Sequence, residues 1–220
     1  MKTPDPASYL ADTVQQLRQQ WPDNRAVNIV CHGHSVPAGY FATPLVDSLN
    51  AYPHLLYAGL KHRFPYAVIN VIVTAIGGEN SEMGAARFTE QVLCHRPDVI
   101  TVDYGLNDRR LGLAPARAAW TRMIRAGLAA GCRMILLTPT FDLTQAPGAT
   151  DADRAPLPAH AEQIRGLAAE FNVGLADSFA AHQHYAISGA VTDLLSWQNH
   201  PNRQGHELVV RELLRWFPPA

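Results

Sequence analysis

Residues 26–35 read AVNIVCHGHS. The run from Ala26 to Cys31 is short, largely apolar, and stops at His32-Gly33, the pattern of a strand buried inside a parallel sheet. Four further apolar segments follow in the chain. Residues 67–74 (AVINVIVT) are rich in β-branched side chains, residues 98–102 follow Pro97, residues 133–137 stop short of Pro139, and residues 173–176 form the shortest run.

Helical patterns separate these strands. A helix is expected over about 81–95, another over 114–130, another over 160–171, and a last amphipathic one carrying Leu208, Val209, Leu213 and Trp216, with Asn202 placed as its N-cap. Thr43-Pro44 reads as a helix start, with Pro53 dividing the stretch into two pieces ending near His62. Residues 142–158, rich in Asp, Pro and Thr, read as a long polar loop. Strand–helix alternation of this kind predicts an α/β fold: a doubly wound, five-stranded parallel sheet between two layers of helices. No repeat or linker interrupts it. The expectation is one domain over 1–220, with 1–24 as an N-terminal helical extension.

Composition narrows the function classes. The 220 residues are 47% hydrophobic and 17% charged, enough for a sizeable core, and the net charge of −1 with scattered arginines argues against nucleic-acid binding. The three cysteines, Cys31, Cys94 and Cys132, lack paired spacing, so buried reduced thiols are expected rather than disulfides or a zinc ribbon. The N-terminus has no apolar signal region, and no stretch reaches eighteen apolar residues, so neither a leader nor a membrane span is expected and a cytoplasmic location is the plain reading.

The chemistry-bearing residues cluster at strand ends. Ser35 follows the first strand, Gly78 the second, Asn107 the third, Asp142 the fourth, and His200 comes after the fifth by a longer loop. In an open α/β sheet the crevice beyond the carboxyl ends of the strands binds ligands. A serine needs a base to become a nucleophile, and an asparagine amide or a glycine N–H can donate to the oxygen that turns negative in acyl transfer. Each of Gly33-His34-Ser35, Gly77-Gly78, Gly105-Leu106-Asn107-Asp108 and Asn199-His200-Pro201-Asn202 has an ordinary structural reading as a turn or cap. Their order and joint placement point to a hydrolase. His32/His34 and His182/His184 form HxH pairs, but no carboxylate or cysteine completes a metal spacing, and no cofactor is expected.

Together these blocks resemble the SGNH (GDSL-type) hydrolase family over nearly the whole chain. The resemblance implies a flavodoxin-like sandwich with Ser35 as nucleophile and His200 as general base. It also implies an oxyanion hole made by the Ser35 and Gly78 N–H groups and the Asn107 side chain. Two positions depart from the family pattern. The aspartate that precedes the nucleophile is His34, and the acid three residues before the histidine is Trp197. Loss of a triad acid costs about 10⁴ in turnover, chiefly through the histidine tautomer. A main-chain carbonyl or Asp193 can take the acid's place, or activity can be largely lost.

Tyr104, Arg109, Asp142 and Trp197 are the candidate substrate contacts, an aromatic and polar mixture suited to a sugar. The expected substrate is therefore a small acyl ester, an acetylated carbohydrate first, with thioester, aryl ester or lysophospholipid as alternatives. A degenerate glycan-binding member is the reading from a different class.

Overall fold

A computed structural model describes residues 3–219. In chain order the elements are α1 (Ala11–Arg18), β1 (Ala26–Gly33), α2 (Ser35–Ala38), α3 (Tyr52–Arg63), β2 (Val68–Val73), α4 (Ser81–Gln91), β3 (Val99–Asp103) and α5 (Gly105–Asp108). They continue with α6 (Leu113–Ala129), β4 (Arg133–Leu137), α7 (Asp151–Arg154), α8 (Pro156–Phe171), β5 (Gly174–Ala176), α9 (Ser178–Tyr185) and α10 (Arg203–Leu214). The five strands are all parallel and lie in the order β2-β1-β3-β4-β5. This is a single-domain α/β sandwich, as the strand–helix alternation predicted.

Because side chains alternate across a strand, the sheet feeds two separate cores. Val27, Ile29, Val99, Ile135 and Leu137 join Leu10, Val14 and Leu17 around α1, Leu56 and Leu60 of α3, and Val209 and Leu213 of α10. Val30, Ile100, Val102, Met134 and Leu136 face the other way, against Phe88 of α4, Trp120 and Ile124 of α6, and Ile164 and Leu167 of α8. The stretch expected as an N-terminal extension thus contributes α1 to the first core; Met1 and Lys2 lie outside the described residues.

The strand order reverses between β1 and β3, so their carboxyl ends diverge and open a crevice there. β2 closes one side of the sheet; its VINVIV sequence carries no charge and no proline, and Val68 and Val73 are 48% and 45% exposed.

Two segments differ from the sequence reading. Thr43-Pro44 does not start a helix: Tyr40 and Val46 form an antiparallel bridge, and the Phe41 N–H donates to the Leu45 carbonyl at 3.0 Å. The helix begins only at Tyr52, with Pro53 in its first turn, where a missing N–H costs nothing. Residues 142–158 are not a continuous loop. They hold a 3-10 turn at Leu143–Gln145, then α7, capped by Thr150 on the Asp153 N–H, and the start of α8 at Pro156.

Candidate active site

Ser35 opens α2 directly after β1, and its N–H sits in the first helical turn, where no intrahelical acceptor exists. The preceding Gly33 is required by crowding. A Cβ there would stand 2.4 Å from the Asp103 carbonyl oxygen and 2.7 Å from Pro37 Cγ, because β1 and β3 pair right up to the crevice. His34 is fully buried. Its Nδ1 accepts the Val36 N–H at 3.2 Å and lies 3.4 Å from Ser35 Oγ, while its Nε2 is 3.4 Å from Asp103 Oδ1. Where the family pattern has an aspartate, an imidazole caps the turn that carries Ser35.

His200 reaches Ser35 from the far end of the chain: Nε2 is 3.0 Å from Ser35 Oγ. Its other nitrogen, Nδ1, lies 2.7 Å from the main-chain carbonyl oxygen of Phe41. A carbonyl only accepts, so Nδ1 carries the proton and Nε2 offers its lone pair to the serine. The loop is tightly closed. Leu195 bridges Pro201, the Ser196 N–H and Oγ donate to the His200 carbonyl at 2.9 and 3.0 Å, and Asn202 caps α10 by accepting the Gly205 N–H. Phe41 is held in turn by its ring, stacked 5.4 Å from that of His206 on α10. Burial lowers the His200 pKa below its ordinary value, the bond to Phe41 opposes that shift, and nearby His34 adds to it.

Gly78 and Asn107 border the same crevice as this pair. Gly78 has φ of +84° and nothing within 4 Å of where a Cβ would be. Asn107 lies in α5, and its Nδ2 donates to the Glu79 carbonyl at 2.7 Å, which spends one of its two N–H bonds. Asp108 is buried beneath, accepting the Ser81 N–H at 2.8 Å and the Trp120 indole N–H at 2.7 Å. Burial raises its pKa, and these two bonds restrain the rise.

Ser35, Gly78, Asn107 and His200 line one crevice of about 790 Å³. Tyr40, Thr43, Asn80, Arg109, Arg110, Thr144 and Asn199 complete much of its wall. Of the candidate substrate contacts, only Arg109 is among these lining residues. Tyr104 is fully buried, its hydroxyl turned toward α4. Asp142 is 3% exposed and held by Arg109 Nη2 at 2.7 Å while it caps the 143–145 turn, a better-satisfied place for a carboxylate than an open wall. Trp197 is 52% exposed and is not among the residues that line the crevice. Asp193 is likewise engaged elsewhere, accepting from Tyr185 Oη and the Ala190 N–H.

Phe41, Tyr40 and Arg110 were not singled out from the sequence; a main-chain acceptor leaves no signature in residue type. Among the described residues no group of three or more His, Cys, Asp or Glu side chains is placed to hold a metal ion, and no helix is long and apolar enough to cross a membrane.

A sequence model of the GDSL-like Lipase/Acylhydrolase family matches residues 31–208. No curated protein matches the sequence. In structure the chain is similar to Axe2, an acetylxylan esterase from Geobacillus stearothermophilus, with a TM-score of 0.76 and 21% identity over 88% of this chain and 95% of that one. Three Axe2 structures are of catalytic mutants in which a serine, a histidine and an aspartate are each replaced by alanine. The chain is also similar to CEX, a two-domain esterase active on acetylated mannans, with a TM-score of 0.77 and 19% identity over 95% of this chain and 52% of that one.

Proposed function

Because the chain belongs to the GDSL-like lipase/acylhydrolase family and is thereby a carboxylic ester hydrolase, we propose that it works as a serine esterase through Ser35 and His200, and that its substrate is an acetylated carbohydrate. The observation that carries the reading is the continuous line from Ser35 Oγ through both ring nitrogens of His200 to the Phe41 carbonyl, 3.0 and 2.7 Å long at its two bonds.

In this reading the Phe41 carbonyl does the orienting work of the absent acid. It fixes the His200 tautomer, so Nε2 takes the Ser35 proton as Oγ attacks the ester carbonyl. The oxygen that becomes negative receives the Ser35 and Gly78 N–H groups and the free N–H of Asn107. Each such donor is worth about 10²–10³ in rate. Collapse expels the alcohol, which takes the proton from Nε2, and a water activated by the same nitrogen releases the acid. A carbonyl brings no full negative charge to the imidazolium, so turnover below that of a full triad is expected.

The sugar preference rests on the crevice wall. Thr43, Asn80, Thr144, Asn199 and Arg110 offer hydroxyl, amide and guanidinium groups for sugar hydroxyls, with the Tyr40 ring as the aromatic surface. The activities of Axe2 on acetylated xylan and of CEX on acetylated mannan point the same way.

The test is a panel of p-nitrophenyl esters from acetate to palmitate beside acetylated xylo- and manno-oligosaccharides, run on the protein and on Ser35→Ala. Acetate release lost in Ser35→Ala, with activity falling as the chain lengthens, is the expected outcome. A palmitate preference would move the reading to a lysophospholipase. Failure of a fluorophosphonate to label Ser35 would leave the degenerate binding protein.

A further inference from the structure

We propose that the largely buried Glu79–Arg87 ion pair is the positioning device of the oxyanion hole, holding the Gly78 N–H and the Asn107 amide in register with each other. The proposal rests on the Ser35–His200 reading above and concerns residues outside that reaction line.

Glu79 touches both donors. It follows Gly78 directly in the chain, and its own carbonyl oxygen accepts from Asn107 Nδ2 at 2.7 Å. Its carboxylate is held from below by the guanidinium of Arg87 on α4: Nε lies 3.0 Å from each oxygen and Nη2 2.6 Å from Oε2. Tyr104 Oη adds a bond to the same carboxylate at 3.3 Å, and lies 3.3 Å from Arg87 Nη2 and 3.1 Å from His32 Nε2. The phenol reaches the pair by passing over Gly84, where an added Cβ would fall 2.2 Å from its oxygen, so a side chain at 84 would displace it.

A second tie runs alongside. The Ser81 N–H donates to Asp108 Oδ1, so the turn after β2 and the turn after β3 are joined at two points, Glu79 to Asn107 and Ser81 to Asp108.

A buried ion pair is poor value as mere bracing, since apolar residues of equal volume commonly serve as well or better. Its use here is directional. The fork of Arg87 fixes the rotation of the Glu79 side chain, hence the turn that carries the Gly78 N–H, and the Glu79 carbonyl selects which Asn107 N–H faces the substrate. Arg87 also neutralises a carboxylate that would otherwise oppose the developing oxyanion.

The experiment measures kcat, KM and the affinity of a small alkylboronic acid, whose tetrahedral adduct on Ser35 imitates the intermediate. The variants are Arg87→Met, Arg87→Lys, Glu79→Gln, and Glu79→Gln with Arg87→Met, all checked for fold by circular dichroism. Arg87→Met, which strands the charge of Glu79, is expected to lower kcat about 10²-fold, the scale of a one-ångström misplacement. KM should stay within about threefold, and boronate affinity should fall in proportion to kcat. The doubly neutral variant should recover part of the loss, and Arg87→Lys, which keeps the charge without the fork, should lie between.

In an Asn107→Ala background the effect of Arg87→Met should shrink, because one of the two positioned donors is gone. Should any variant fail to fold, Arg87→Lys decides the matter. A kcat within twofold of the parent, a loss confined to KM, or full additivity with Asn107→Ala overturns the proposal. Activity surviving in Ser35→Ala would instead overturn the reading it rests on.

Discussion

His200 lies in a buried setting that favours its neutral form, and this fixes the sign of its pH dependence. As the proposed general base, His200 must be unprotonated to accept the serine proton, and burial lowers its pKa from the ordinary 6.5. It therefore stays neutral to lower pH than a free imidazole, and activity is lost only as pH falls through the depressed value. The acid limb of kcat/KM is expected below 6.5, read from a pH–rate profile. Asp193 supplies a second check. Its carboxylate is taken by Tyr185 and the Ala190 N–H, so Asp193→Ala should keep turnover within about tenfold of the parent, against the roughly 10⁴ lost with a true triad acid. At this scale the sequence displays what is missing, a tryptophan where an acid is expected. It cannot display the proposed replacement, because every residue has a carbonyl and only the fold brings that of Phe41 to His200 Nδ1.

Asn202 shows how an element holds a side chain in place. Its Oδ1 caps α10 on the Gly205 N–H, while its Nδ2 donates to the Asp193 carbonyl at 2.8 Å and the Leu195 carbonyl at 3.3 Å. Asn202→Ala should lose about 1–2 kcal/mol of stability, measured as a shift in the urea midpoint, and loosen the loop that carries His200. The cap was readable from an asparagine ahead of an amphipathic run, as the strands were from β-branched apolar stretches ending at Gly or Pro. The elements misread share a cause. Thr43-Pro44 and residues 142–158 carry signals that local chemistry leaves ambiguous, since proline suits both a helix start and a turn, and a polar stretch can hide short capped helices. The first misreading fell on the segment that presents the Phe41 carbonyl. Tyr104 was placed correctly after β3, but the turn into α5 carries its ring under the sheet, a rotation that periodicity does not encode.

Across the whole molecule, three of the buried histidines are pushed furthest toward their neutral form. Burial draws His32 and His182 down to about 4 and His206 down to about 3, with the Arg87 charge adding to the first and His182 and His200 to the last. In the unfolded chain each titrates near 6.5. Between these values the unfolded state binds more protons, so stability is full above about pH 6.5 and falls as pH drops toward the folded pKa values. The three shifts share one sign, so their effects on stability reinforce one another. A steep decline in Tm between pH 6.5 and 4, followed by circular dichroism, is expected; a flat profile would contradict buried neutral imidazoles.

The outer border of β2 carries a different consequence. Most natural sheets guard such a border with lysine, proline or a bulge, and this one shows uncharged VINVIV. Refolding from denaturant is then a contest between completing the sheet within one chain and extending it into a neighbour, and the balance tilts toward aggregation as concentration rises.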